Sequence, residues 1–589
     1  MSRFPEQLPG DEISLPELDA GFRGVLQRIE RGQLQTGYLW DAVNVRMDLQ
    51  EARTRPGSLL PIHFNHIERT AILGAGIYSD PQGREWMAVC EPRQVWLCAD
   101  GWQPISVAIP AGQELTGNVE VVQCGNELRL LRGPDLDTLT WNGDLLVPLF
   151  RELPAPTGPN FLERQPNASW AVIQADRMWV PISRDELAWS DILDYNAFDT
   201  VTASVRFNRV TDDALVTAAP YDRDRMVVFK TRSIYTLSNV TGDLSQLRAD
   251  EVSVNQGCLA RRSVVAVGDD VIYLARGGLY RLSETEQATK LQGVPIPLSY
   301  AIPRWMARVN WNAAADACAC VSGDYYMLAV PVDGSTRNNA VLVYHLPSRE
   351  WHSMDFYGEV PSATDTLATQ ESGVWMVQPW AGPSALLLSE VPDISVSRGQ
   401  GFVVTTLFGL QTAFLIDGQR VIALGHGTMD RLGAQRHIQT RIETRGYALG
   451  DLLSKPVKRV VLQVATRNAS LNMDTLTDGV RESQPVLSNV KRDRTRFTRL
   501  GHPPFSLTNS DGRFNEPYRE DYTWIAGDAL QLTENGVRLG DHQDFERAVP
   551  LARRGRWLAC NITSTRGTLR VIGIMAEGLS SKNHLRTQS

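Results

Sequence analysis

Short apolar runs of period two dominate the chain, and they are clearest between residues 221 and 282. The runs 225–229 (RMVVF) and 233–237 (SIYTL) flank Lys230-Thr231-Arg232. Further on, 263–267 (SVVAV), 271–275 (VIYLA) and 279–282 (LYRL) are separated by Gly268-Asp269-Asp270 and Arg276-Gly277-Gly278. β-Branched and aromatic residues fill the runs. Gly and Asp, which tolerate the positive φ of tight turns, punctuate them. Each unit is therefore a predicted hairpin. A hairpin cannot bury its own apolar face, so a chain with many of them must stack them.

The same phrasing recurs at 94–101, 127–133, 177–182, 324–330, 340–346 and 373–377. A large aromatic sits near the polar turn of successive units at Trp96, Trp141, Trp189, Tyr235 and Tyr280. These markers recur about every 45 residues, the period of propeller blades. Helical periodicity is almost absent. The expected fold is all-β: a β-propeller of six or seven blades over residues 36–435, with the number of phrases favouring seven. Stacked sandwiches are the alternative, but they give no reason for even spacing.

Residues 1–35 read as an N-terminal arm with one short helix, capped by Ser14, with Pro16 in its first turn and Glu17 closing a capping box. Around residue 436 the texture changes to longer alternating strands, such as 439–443 (QTRIE) and 458–464 (KRVVLQV). A C-terminal β-sandwich is expected over 436–589, interrupted by a polar insertion at 480–546. The insertion carries Arg492, Arg494, Arg496, Phe497, Phe505, Phe514, Tyr518, Tyr522 and Trp524. A long stretch without regular pattern is commonly functional. Stacking on single-stranded nucleic acid is one reading of its arginines and aromatics. The interspersed Asp, Glu and Pro favour a protein-contact loop.

Composition narrows the function. The 589 residues are 43% hydrophobic and 21% charged, with a formal charge of −8. An acidic balance argues against a protein that grips phosphates, yet it suits a surface past which nucleic acid slides. The basic residues are almost all Arg. The seven cysteines are scattered through apolar runs and read as buried free thiols. No apolar run reaches the ~20 residues of a membrane span. The first residues show no signal-peptide core, so synthesis in a reducing cytoplasm, without export by the general route, is expected.

Chemistry is sparse. His63-x-x-His66 has no third ligand at suitable spacing, so no metal site is expected. No nucleophile elbow, phosphate-cradling loop or EF-hand occurs, so neither catalytic residues nor a cofactor is expected. A propeller glycosidase would need two carboxylates flanking the bond. Asp191, Asp194, Asp212, Asp213, Asp222, Asp224, Asp269 and Asp270 are available, but all sit in turn contexts.

One ordered set of phrases carries a resemblance. Gly24-Val25 precedes Gly37-x-x-x-Asp41-Ala-x-Asn44-Val-Arg46, and Arg55-Pro56-Gly57 follows. Then come Leu187-Ala-Trp-Ser-Asp191 with Asp194-Tyr195 and Phe198, the stretch 220–229 leading to Ile234-Tyr-Thr-Leu, and 257–265 with 271–282. Lys458-Arg-Val and 553–576 complete the order. This order resembles the phage tail nozzle, or tail tubular protein B, family of short-tailed phages. The resemblance implies a virion protein forming a homohexamer below the portal and adaptor. It would be a conduit and closure for genome DNA, with fibres or spikes attached outside. Double-stranded DNA would pass without sequence-specific binding, and no stable membrane insertion is expected. Six copies would carry roughly −48, which would repel passing DNA. On this reading Asp41, Asn44, Arg55, Pro56 and Gly57 form a structural clasp; the contact loop within 480–546 matches nothing in the family, and its partner stays open. A propeller receptor-binding protein and a polysaccharide-degrading tail enzyme are the alternatives.

Overall fold

The computed structural model describes residues 12–581 apart from 48, 66–70, 155–162, 209–212, 292, 358–368, 372–373, 378–385, 388–400, 433–434, 449–454, 478–479, 488–532, 535–536 and 539–542. The protein is all-β, with 51% of residues in strands; among the described residues there are two short helices, Leu282–Lys290 and Pro303–Arg308. It divides into two compact units. One comprises residues 59–342 and 361–424; the other comprises 1–58, 343–360 and 425–589.

The first unit holds the propeller. Its first small sheet is an antiparallel meander of Gly74–Ser79, Glu85–Cys90, Gln94–Cys98 and Ile105–Ala108. Three more four-stranded meanders follow, starting at Glu120–Cys124, Val172–Gln174 and Leu215–Pro220. Two three-stranded sheets begin at Val265–Val267 and Thr369–Glu371. These six small sheets are arranged as a six-bladed propeller. The phrase count favouring seven included 324–330 and 340–346. Their strands, Tyr325–Val330 and Ala340–His345, belong to a larger sheet instead. The strand Cys318–Ser322 of that sheet lies beside Val265–Val267 and Phe402–Leu407, and Phe402–Leu407 lies beside the first two strands of the first blade.

The aromatic markers have a common address. Trp96, Trp141, Trp189, Tyr235 and Tyr280 each lie on the third strand of a successive small sheet. From there each packs into the layer between sheets. Trp189 meets Trp179 at 5.1 Å between ring centroids, Tyr235 meets Phe207 at 5.1 Å, and Trp141 meets Tyr78 at 5.4 Å. The first inter-sheet core joins Trp86, Val95 and Leu97 to Leu128, Leu130 and Trp141. This is the buried face that a lone hairpin lacks.

The turn carboxylates hold their own turn or a neighbouring one. Asp222 Oδ1 accepts the Asp224 amide at 2.9 Å, and Asp224 Oδ1 accepts the Thr241 amide at 3.1 Å. Asp270 accepts from the Ser283 amide and hydroxyl, and Asp213 from the Arg232 amide at 2.8 Å. Asp212 and His66 lie outside the described residues. All seven cysteines are free and buried, as their apolar surroundings predicted.

In the second unit, Lys455–Thr477 and Leu558–Ser581 pair antiparallel over most of their length. Thr440–Thr444 flanks Leu558–Ser581 on one side, and Tyr38–Val43 flanks Thr440–Thr444. The expected N-terminal helix is absent. Residues Glu12–Ala20 form a strand paired with 573–581, from Glu12 opposite Ser581 to Ala20 opposite Gly573. The loose apolar stripe is the reason. Read with period two, it turns Asp19 inward and leaves Leu18 on the surface. Sheet partners then outweigh the capping pattern around Ser14.

The ends of the polar stretch 480–546 also belong to the sheet. Val480–Leu487 pairs with 471–477, and Gln543–Gly555 pairs with 455–466. Arg492, Arg494, Arg496, Phe497, Phe505, Phe514, Tyr518, Tyr522 and Trp524 lie outside the described residues.

Candidate functional site: the buried arginine clasp

The phrase Asn44 to Gly57 folds around one fully buried guanidinium. Short strands Val45–Arg46 and Ala52–Thr54 form a hairpin that brings Asn44 and Arg55 together, and the Arg55 amide donates to the Asn44 carbonyl at 2.9 Å. Asn44 has φ +57°, a left-handed geometry that Asn tolerates better than most residues. Its side chain bridges outward. Nδ2 donates to the Gln439 carbonyl at 2.7 Å, while Oδ1 accepts from Arg55 Nε at 2.9 Å and from the Phe356 amide at 3.0 Å.

Arg55 uses every guanidinium nitrogen. Nη1 and Nη2 form a bidentate pair with Asp430 at 3.0 and 2.7 Å, and they also reach the Pro56 and Phe356 carbonyls. Asp430 in turn accepts from Ser58 Oγ at 2.8 Å. The guanidinium carbon stacks 4.1 Å from the Tyr357 ring centroid. Burial alone would lower the pKa of Arg55, but Asp430 and then Tyr357 outweigh it, so the group is held more firmly protonated than usual. A planar fork fits this cage as a Lys would not.

Gly57 is required by a close approach. A Cβ there would fall 2.2 Å from the Met429 carbonyl oxygen, and the Gly57 amide donates to Gly427 O at 2.9 Å. Pro56 is exposed and contributes only its carbonyl. Asp41 stands apart from this cage: its carboxylate accepts from Arg441 Nη2 at 2.6 Å. Asn44, Arg55, Pro56 and Gly57 thus converge, and Asp41 ties the adjacent strand to the same Thr440–Thr444 neighbourhood.

A second buried pair adjoins it. Arg46 binds Asp355 through both terminal nitrogens at 3.2 and 2.6 Å, and Ser353 Oγ at 3.0 Å. His352 lies beside it, stacked on His345 at 4.8 Å between centroids, with Nδ1 accepting from the Met47 amide at 3.3 Å. Burial first, then the Arg46 charge, pushes the His352 pKa down to about 3. The ring is neutral, and the accepting Nδ1 places its proton on Nε2.

Asp355, Tyr357 and Asp430 had no signal in the sequence that marked them as partners. They lie 300 or more residues from Arg55 in ordinary polar contexts, and only the closed fold brings them there. Chemically the clasp can hold strands together but not turn over a substrate, because its polar atoms are committed to one another. Among the described residues no group of three or more His, Cys, Asp or Glu is spaced to hold a metal ion, and no helix is long and apolar enough to cross a membrane.

No family model matches the chain, and no curated protein matches it. Solved structures resemble it at low similarity. The computationally designed protein Ika8 is 9% identical with a TM-score of 0.31, covering 63% of this chain and 99% of its own. The extracellular domain of a putative one-component system from B. thetaiotaomicron is 9% identical with a TM-score of 0.35, covering 78% of this chain and 58% of its own. PorZ, a surface component of the type-IX secretion system of Porphyromonas gingivalis, is 12% identical with a TM-score of 0.29, covering 66% and 51%. At these scores the likenesses carry no argument about this chain.

Proposed function

We propose that the chain is a structural virion protein of a phage tail. In this reading it is a nozzle subunit that assembles as a homohexamer beneath the portal and adaptor, guides and closes off genome DNA, and offers fibres or spikes a docking platform. The observation that carries the reading is the ordered set of tail-nozzle phrases, from Gly37 to Gly57 through 187–198 and 220–282 to 553–576. Their best-marked residues support a scaffold role. Asn44, Arg55 and Gly57 are buried in a self-satisfied network rather than displayed toward a ligand. The acidic balance of −8 per chain suits a lumen that DNA passes without sticking.

The reading is tested by imaging the intact virion and sizing the purified chain with its adaptor by light scattering. The expected result is a six-fold ring at the tail. A chain that stays monomeric beside the adaptor and is missing from purified virions would overturn the proposal. Adsorption lost with assembly intact, on deleting 488–532, would replace it with the receptor-binding alternative. Capsule hydrolysis abolished by paired Asp substitutions would replace it with the enzyme.

A further inference from the structure

A pocket opens within the propeller unit where the first strands of successive sheets converge. It measures about 260 Å³. Its wall takes residues from Glu120–Cys124, Val172–Gln174, Leu215–Pro220, the turn Arg261–Ser263 that leads into Val265–Val267, Cys318–Ser322 and Phe402–Leu407. The first strands of three successive small sheets contribute to this wall.

The charges around it do not balance. Arg261 and Arg262 both converge on the same oxygen, Oε2 of Glu120, Arg261 at 3.1 Å. Arg261 Nη1 also donates to the Ser169 carbonyl at 2.6 Å. Among the described lining residues, Glu120 is the only carboxylate. Cys318 does not add a negative charge, because burial pushes its thiol up to about 12. The lining thus carries two positive charges and one negative. All three side chains are largely withdrawn from solvent, at 23%, 17% and 18% exposure for Arg261, Arg262 and Glu120. Arg262 Nε is buried and has no hydrogen-bond partner.

A half-neutralised guanidinium pair in a sheltered cavity is costly as it stands. The cost shows in Arg262, whose pKa burial draws down to about 10 against the pull of Glu120, with Arg261 adding to the depression. An anion with several acceptor oxygens would neutralise the excess charge, and guanidinium forks recognise such groups well. The cavity has room beyond the anion, flanked by Trp170 and Phe402.

We propose that this pocket is a binding site for a small oxyanion, a phosphate or a carboxylate, held between Arg261 and Arg262. The site is independent of the tail assignment, and it acts within one propeller.

Inorganic phosphate and citrate, each titrated into the full-length protein against sodium chloride of equal ionic strength, separate the two sources. Thermal unfolding and calorimetry are the readouts. The expected result is a saturable rise in Tm with at least one of them, beyond the chloride control. Arg261→Gln, at the more exposed arginine, keeps the fold and weakens binding about tenfold, the scale of one charge-assisted hydrogen bond. Glu120→Gln acts in the opposite direction: it removes the competing carboxylate and tightens binding. A Tm that follows ionic strength alone overturns the site. So does binding that is equal in the wild type and Arg261→Gln, or weaker in Glu120→Gln.

Discussion

Arg55 shows at the residue scale how much of this protein rests on single buried charges. Arg55 is 1% exposed and Asp430 is 4% exposed, so neither can fall back on water. Removing one partner leaves the other charged and buried, at a cost of roughly 3–5 kcal/mol. Arg55→Met and Asp430→Asn are each expected to lower stability on that scale in urea unfolding. The double variant Arg55→Met with Asp430→Leu should lose less than the sum, because no orphaned charge remains. Additive losses would show that the pair is not coupled.

His352 makes a prediction of a different sign. Its folded pKa of about 3 lies below its ordinary 6.5, so the unfolded chain binds the extra proton. Its contribution is complete above pH 6.5 and erodes as pH falls toward 3, by roughly 1.4 kcal/mol per pH unit at most. Asp19 acts oppositely. Burial raises its pKa even though the Gly37 amide and Arg445 pull it down, so acidification favours the folded side of that equilibrium. Comparing the wild type with His352→Gln isolates the histidine. The variant should lose less stability between pH 6.5 and 4.5, and parallel pH profiles would contradict the assignment.

At the scale of elements, the N-terminal strand Glu12–Ala20 covers the outer edge of 573–581. It also brings Asp19 to Gly37 N at 2.7 Å and Glu17 to Arg445 at 2.6 Å. An uncovered edge exchanges with solvent and invites pairing with other chains. Deleting residues 1–20 should therefore speed amide exchange selectively at 573–581 and promote association, while exchange in the 74–108 blade stays unchanged. Uniform protection across 573–581 after the deletion would show that the strand does not guard that edge. The strand also shows where element-level reading fails. Ser14, Pro16 and Glu17 form a plausible helix cap in isolation, but a cap satisfies only a few backbone groups. The edge of a long sheet satisfies a whole strand.

For the whole molecule, the consequential features are repetition and charge. The aromatic markers pack in the layers between sheets, so the propeller's stability is shared among neighbouring blades rather than held in one core. If six copies of the 65.5 kDa chain assemble, their acidic charge adds, and the ring carries a field that keeps DNA from adhering. Light scattering at six times the chain mass in the presence of the adaptor checks the size, and virion imaging checks the position.

The sequence by itself determined what is local. Period-two patterning located Arg225–Lys230, Ile234–Ser238, Asp270–Ala275 and Gly278–Arg281 to within a residue. The even spacing of Trp96 to Tyr280 revealed repetition, because each of these blades packs one large third-strand aromatic into a layer between sheets. It also foretold buried thiols, since most of the seven cysteines sit in apolar runs. Tertiary structure alone decided what depends on partners far along the chain. It turned Glu12–Ala20 from expected helix into strand, assigned 324–330 and 340–346 to a larger sheet, and supplied Asp430, Asp355 and Tyr357 to Arg55 and Arg46. It also set Arg261 and Arg262 against Glu120. An alternating pattern says which face of a strand is buried. It does not say which distant residue will meet it there, because that is fixed only when the ring and the long sheets close.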